Sequence, residues 1–332
     1  MAQEKAKVFV IAEHGLRGTE RVSLQLVSKA RQLADELDCK VGAILLGRDL
    51  AGCEQEMIDA GTDLVLRGDA EFLGLYQAEL YAEIIVKLVT NYQPDIVLIG
   101  STTMGRELAP LLAVRLDTGL TAHCIDLTIN NSGILEQHIP AYGGMITIIC
   151  PVKRPQMATV AEGVFPNPVF DSSRTGEVIP IEIPESFPLR ARTLEIVQGE
   201  PVGISLESAP VIVAGGAGAG DSDGWREIAE LATVLNAGLG STRPVVDAGW
   251  ADFDSMIGQS GVMVKPDLYI GVGISGDLQH MVGIVGPRIM IAVNNDPKSR
   301  VFKQMDFGVV EDCRIFVPAL VKALKEKKAI PV

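Results

Sequence analysis

The chain has 332 residues, enough for two domains that each bury a core. Hydrophobic residues make up 47% and charged residues 21%, a globular rather than a disordered mix, and with aromatics at 5% the core must be chiefly aliphatic. A formal net charge of −13 excludes nucleic-acid binding, which needs a positive surface against the phosphates. It fits a chain that meets proteins or small molecules.

The first 120 residues alternate apolar strands with amphipathic helices. The pattern predicts strands over 7–13, 41–47, 63–67 and 95–100, and helices over 20–37, 54–60, 77–92 and 106–116. In the first helix Val22, Leu26, Ala30, Leu33 and Leu37 recur at helical spacing. Apolar strands separated by such helices imply a parallel sheet covered on both faces. From about 125 to 183 the pattern becomes shorter and more strand-like. No apolar run reaches the roughly 20 residues that would span a bilayer. With a strand near the start and no targeting segment ahead of it, the expectation is a cytoplasmic protein. Cys39, Cys53, Cys124, Cys150 and Cys313 are scattered, with no CxxC pair, which argues against iron–sulfur or structural zinc ligation. His14, His123 and His138 are too far apart to suggest a metal site or a catalytic triad. No metal and no catalytic residue is assigned.

Pro180, Pro184, Pro188, Pro201 and Pro210 punctuate a stretch with little helical period, which predicts an interdomain linker. The expected division is residues 1–185, a linker over 186–209, and a second α/β domain over 210–332. That domain reads as strands over 211–214, 268–272 and 290–294 with helices over 225–236 and 317–327. After its first strand comes Gly215-Gly216-Ala217-Gly218-Ala219-Gly220. Glycines between a strand and a helix make either a phosphate cradle or a tight connection. The spacing is not that of the dinucleotide fingerprint GxGxxG, and the ribose-binding acid about 20 residues on is missing.

From Val211 onward the sequence resembles the FAD domain of the electron-transfer flavoprotein α subunit, motif after motif in order. The motifs are the glycine turn, the run from Ser241-Thr242-Arg243 to Asp247-Ala248-Gly249, Ile257-Gly258-Gln259-Ser260-Gly261, the stretch from Pro266-Asp267 to Ser275-Gly276, Gln279-His280 and Asn294-Asn295-Asp296-Pro297. In the first half Gly105-Arg106-Glu107, Thr118-Gly119-Leu120 and Arg154-Pro155-Gln156 continue the likeness, so it covers nearly the whole chain. The resemblance implies two domains, an N-terminal Rossmann-like parallel-sheet domain that packs on a β subunit and a C-terminal doubly wound domain that binds FAD. It implies electron shuttling between a flavin-dependent dehydrogenase, such as an acyl-CoA dehydrogenase of fatty-acid β-oxidation, and another redox partner, in a direction the sequence leaves open. The carrier would be either a simple one or part of an NADH-dependent bifurcating complex.

By the same resemblance Arg243 lies against the flavin ring, Ser260 offers its hydroxyl to N5 and His280 stands near the O2 edge. Thr242, Ile257, Gly258, Gln259, Ser275, Gly276, Asp277, Leu278 and Gln279 follow as FAD contacts, with Asn294 and Asp312 toward the adenosine end. Reduced flavin gathers negative charge at N1 and O2, which a donor or cation there stabilises. Each residue also has a plainer reading: Arg243 paired with Asp247, Ser260 a turn residue, His280 a cap or salt-bridge partner. Two departures stand out. Ala217 occupies a position where relatives commonly carry arginine, and Met145 one where asparagine is common. The acidic loop Asp221-Ser222-Asp223 is unfriendly to a diphosphate. Two other readings are a nicotinamide-dependent dehydrogenase and a nucleotide-binding regulatory subunit of this fold that has lost redox function.

Overall fold

The structure is a computed structural model that describes residues 6–15, 18–141, 144–183, 187–197, 204–207 and 209–328. The chain forms two compact units, residues 1–198 and 199–332.

In the first unit, strands Ala6–Ala12 (β1), Lys40–Gly47 (β2), Leu64–Asp69 (β3), Ile96–Gly100 (β4) and Leu120–Cys124 (β5) alternate with helices Arg21–Glu36 (α1), Cys53–Ala60 (α2), Ala78–Tyr92 (α3) and Thr103–Arg115 (α4). An antiparallel excursion follows, Asp126–Ile129 (β6), Leu135–Ala141 (β7) and Gly144–Ile149 (β8). The chain then returns to the sheet with Gln156–Val160 (β9) and Glu177–Pro180 (β10). The seven parallel strands run in the order β10-β3-β2-β1-β4-β9-β5. Such strands are apolar on both faces because both are covered. Phe9, Ile11, Ile44 and Val97 meet α3 and α4 through Leu80, Ile84, Ile85, Leu108 and Leu112.

The reading began the fourth helix at 106, but α4 starts three residues earlier, because Thr102 caps it. Its Oγ1 accepts from the Gly105 N–H at 2.9 Å and donates to Glu13 Oε1 at 2.7 Å. Residue 105 must be glycine there, since a Cβ would lie 1.8 Å from the Gly100 carbonyl oxygen. Met145 is exposed on edge strand β8; its neighbours Tyr142 and Gly143 lie outside the described residues.

The second unit carries strands Val211–Gly215 (β11), Gly238–Ser241 (β12), Leu268–Val272 (β13), Ile289–Asn294 (β14) and Phe307–Val310 (β15), all parallel, in the order β12-β11-β13-β14-β15. Helices Ser222–Leu235 (α5) and Cys313–Lys328 (α8) cover one face, over Val213, Ile270, Val272 and Val293. The other face, with Ile212, Ala214 and Tyr269, is closed by Leu206, Ala209, Ile257, Val264 and Ile274. Those residues come from irregular segments, to which the short helices Arg243–Asp247 (α6) and Leu278–Met281 (α7) belong. The chain runs outward in opposite directions from β11 and β13, so their carboxyl ends form a topological switch point, where open α/β sheets bind ligands. Among the described residues no helix is long and apolar enough to cross a membrane.

Candidate functional site: a cleft at the switch point of the second unit

A cleft of about 500 Å3 opens at that switch point, a size typical of small-molecule sites. Three loops build it: the glycine turn after β11, the segment from Thr242 to Ser260 that includes α6, and the segment from Gly273 through His280. Asn294, the last residue of β14, and Asn295, Asp296 and Ser299 beyond it complete the lining.

Backbone packs directly on backbone in these walls. A Cβ on Gly216 would lie 2.3 Å from the Gly273 carbonyl oxygen, and one on Gly218 would lie 2.6 Å from Gly273 Cα. Across the cleft, a Cβ on Gly258 would lie 2.4 Å from the Gln279 carbonyl oxygen. Gly258 also sits at φ +147°, which side chains other than glycine rarely adopt.

The glycine turn proves to be the tight connection rather than the phosphate cradle. Most of its amides are already spent inside the chain, Gly216 on Val272 O, Gly218 on Gly273 O, Ala219 on Gly216 O and Gly220 on Ala217 O, which leaves that of Ala217 as the turn's one amide without a backbone acceptor among the described residues. By contrast, the amides of Ser275, Gly276 and Asp277 donate no backbone hydrogen bond among the described residues. They are the better placed to meet an anion.

That loop is held from behind. The Asn294 amide nitrogen donates to Ile274 O at 2.9 Å and to Ser299 Oγ at 3.3 Å, and Ser299 Oγ and the Val301 amide both donate to Ser275 O. Gln304 donates to Gly276 O, and Arg300 pairs with Asp277 at 2.5 Å. A Cβ on Gly276 would meet Val301 backbone at 2.5 Å. Asn294 is therefore occupied in clamping the loop.

Of the residues expected at a cofactor, the cleft gathers Thr242, Arg243, Ile257, Gly258, Gln259, Ser260, Ser275, Asp277, Gln279, His280 and Asn294. Gly276 and Leu278 stand between lining residues without lining it themselves. Asp312 stands apart as the cap of α8, its carboxylate accepting from the Arg314 N–H and its carbonyl from Ile315 and Phe316. Arg243 satisfies two readings at once. It lines the cleft, exposed, and its Nε lies 3.4 Å from Asp247. Among the described lining residues it is the only lysine or arginine, in a lining that also holds Asp277 and Asp296. Arg314, the nearest candidate to replace a cation at Ala217, is spent on Asp221 and the Ala219 carbonyl.

His280 is neither an exposed cap nor a salt-bridge partner. It is buried in the cleft wall, Nδ1 2.9 Å from Ile257 O and Nε2 2.7 Å from the hydroxyl of Tyr269. Burial pushes its pKa down to about 4, with the Ile257 carbonyl opposing in part, so the ring is neutral at pH 7. Tyr269 is not among the residues the sequence points to, although it lies between Pro266 and Gly276. A tyrosine in an apolar strand gives no signal until its hydroxyl is known to be buried.

The fit to FAD is favourable: the lining combines amides without backbone acceptors, the hydroxyls of Thr242 and Ser260, and walls only glycine can form. Comparison with known proteins points the same way. The family model for the electron transfer flavoprotein domain matches residues 8–186, and that for the electron transfer flavoprotein FAD-binding domain matches residues 205–285. The electron transfer flavoprotein subunit alpha of Thermoanaerobacterium thermosaccharolyticum is 40% identical, covering 97% of this chain and 98% of that one. Its namesake from Megasphaera elsdenii is 38% identical over 97% of both chains. Protein FixB of Clostridium saccharobutylicum is 37% identical over 96% of both. Among solved structures, benzoylformate decarboxylase from Polynucleobacter necessarius aligns over 96% of this chain and 58% of its own, at 11% identity and a TM-score of 0.25, too low to bear on fold or function. The chain thus belongs to the electron-transfer flavoprotein α-subunit family, and its second unit carries that family's FAD-binding domain.

Proposed function

We propose that this chain is the FAD-bearing half of a heterodimer with an electron-transfer flavoprotein β subunit. It takes electrons from a flavin-dependent dehydrogenase of the acyl-CoA class, in cytoplasmic fatty-acid β-oxidation, and passes them on. The supporting observation is the coincidence of the switch-point cleft with the segment matched by the FAD-binding family model. FAD supplies the redox chemistry, holding electrons singly or in pairs. The chain's own residues bind and tune it. In this reading the amides of Ser275 to Asp277 meet the pyrophosphate, and Thr242, Gln259 and Gln279 add polar contacts. Ile257 and Gly258 let the ring approach backbone.

Arg243 contributes the positive charge that favours an electron-rich ring, and Ser260 a hydroxyl toward N5. A charge-assisted hydrogen bond of roughly 1.4 kcal/mol moves a one-electron potential by about 59 mV. Gly276 and Leu278 shape the loop, and Asn294 braces it, while Asp312 caps α8 outside the cleft. The test is the visible spectrum of the chain co-expressed with a β subunit, with flavin counted after denaturation. One FAD per heterodimer marks a simple carrier, and two mark a bifurcating, NADH-linked complex. A colourless heterodimer that stays colourless with added FAD overturns the proposal in favour of a regulatory subunit of this fold, in which Ala217 in place of the arginine common in relatives would have a reason.

A further inference from the structure

The Tyr269–His280 pair does something the family likeness does not mention. The Ile257 carbonyl oxygen can only accept, so its 2.9 Å contact puts a hydrogen on His280 Nδ1. Nε2 is then left with its lone pair. The Tyr269 hydroxyl, fully buried on the central strand β13, donates to that lone pair at 2.7 Å. Both ring nitrogens are satisfied in one arrangement: a neutral ring protonated at Nδ1.

Adding a proton at Nε2 would turn that nitrogen into a donor. Tyr269 would have to accept, and its own hydrogen would be left in an apolar core among Ile212, Ala214, Ile257 and Ile274. The charged groups nearby do not offset this. Asp277 caps α7 and is paired with Arg300, while Arg243 and Asp296 line the open cleft. Burial lowers the pKa of His280 and the Ile257 carbonyl opposes it, with no charged side chain contributing. The bonds also tie β13 to both loops of the cleft wall, which meet again where the Gln259 amide donates to Gln279 O at 2.7 Å.

We propose that Tyr269 is a positioning residue that locks His280 as the neutral Nδ1–H tautomer, so that this histidine takes up no proton when the neighbouring flavin is reduced. The first clause rests on the chain alone; the second rests on FAD occupying the cleft. When an electron from a reduced flavin partner arrives, any accompanying proton must then go to the flavin or stay in solvent, not to His280.

The test separates the two clauses. Long-range proton–nitrogen spectra of the histidine-labelled full chain, without FAD, report the His280 tautomer, with assignment by loss of the signal in His280→Asn. The expected result is an unprotonated Nε2 and a protonated Nδ1 throughout pH 5.5–8. In Tyr269→Phe the tautomers mix and the titration moves up by about one pH unit or more. Should that variant not fold, 3-fluorotyrosine in place of tyrosine alters the acidity of the hydroxyl without removing it, and shifts the Nε2 resonance. An Nε2–H tautomer in the wild type, or a resonance indifferent to either change, overturns the lock. With FAD loading confirmed by absorbance, the first one-electron potential is independent of pH over 6–8 in the wild type and becomes pH-dependent in Tyr269→Phe. A sloping wild-type potential whose slope vanishes in His280→Asn overturns the second clause. A chain that binds no FAD contradicts the cofactor placement and leaves the tautomer result standing.

Discussion

Glu13 ends β1 almost fully buried, and burial pushes its pKa up to about 7, with Glu162 and Glu20 adding to the rise and the Thr102 hydroxyl opposing it. The sign follows from the raised folded value. Between 4.5 and about 7 the folded state holds a proton that the unfolded state has released, so this group's contribution to stability falls as pH rises through that window. Denaturant melts of Glu13→Gln should lose that slope, and an unchanged slope would mean another group carries it. A buried carboxyl here also disfavours an anion at the α4 start. Arg243 should behave oppositely. Its exposed pair with Asp247 contributes little, so Arg243→Ala should change stability by less than about 0.5 kcal/mol. Its effect should appear in the reduction potential of the bound flavin, measured by potentiometric titration. At Gly218 the effect is on folding, because an alanine Cβ would stand 2.6 Å from Gly273 Cα. Gly218→Ala should cost about 1–3 kcal/mol in chemical melts and weaken FAD binding.

At the scale of elements, the clamp behind the Ser275 loop makes the clearest prediction. Asn294→Ala removes hydrogen bonds to Ile274 O and Ser299 Oγ and the one accepted from the Asp296 amide. The loop amides then lose their fixed aim, and FAD affinity, read by fluorescence quenching, should fall about tenfold, roughly 1.4 kcal/mol. An unchanged affinity would mean that Ser299, Arg300, Val301 and Gln304 hold the loop without Asn294. Why some elements were legible and others not is visible in the same region. Strand β13 announces itself by its apolar run and β14 nearly so, because buried parallel strands need β-branched and aliphatic residues. Strand β12 is only Gly-Leu-Gly-Ser, with no such run, since a Cβ on Gly240 would lie 2.3 Å from Ile257 Cδ1. The pattern places the last helix over 317–327, yet α8 begins at Cys313 behind the Asp312 cap and carries Pro318 inside it. Motif order located the cleft residues. Their division into lining, bracing and capping parts depended on contacts between loops far apart in the chain, which local periodicity does not encode.

Taken whole, the chain is two units with separate cores, and the cleft belongs to the second. Ligand binding stabilises the unit that holds it, by about 2.7 kcal/mol at a hundredfold excess over the dissociation constant. Calorimetry should therefore resolve two transitions, of which added FAD raises one. A single transition that FAD raises as a whole would show that the units unfold together.

The edge strand β8 leaves Met145 and Ile149 exposed, one strand beyond β7 with no further neighbour among the described residues. An open apolar edge is a template for any strand that reaches it. For a cell, that makes this polypeptide awkward to synthesise in surplus. An orphan copy displays a sticky margin to its siblings and to the proteolytic machinery, so gene dosage and translation must be matched to whatever shields it. The same logic reaches the fermenter. Overproduced by itself the chain should give inclusion bodies, and Ile149→Lys, which places a charge on that margin, should raise the yield recovered in the supernatant.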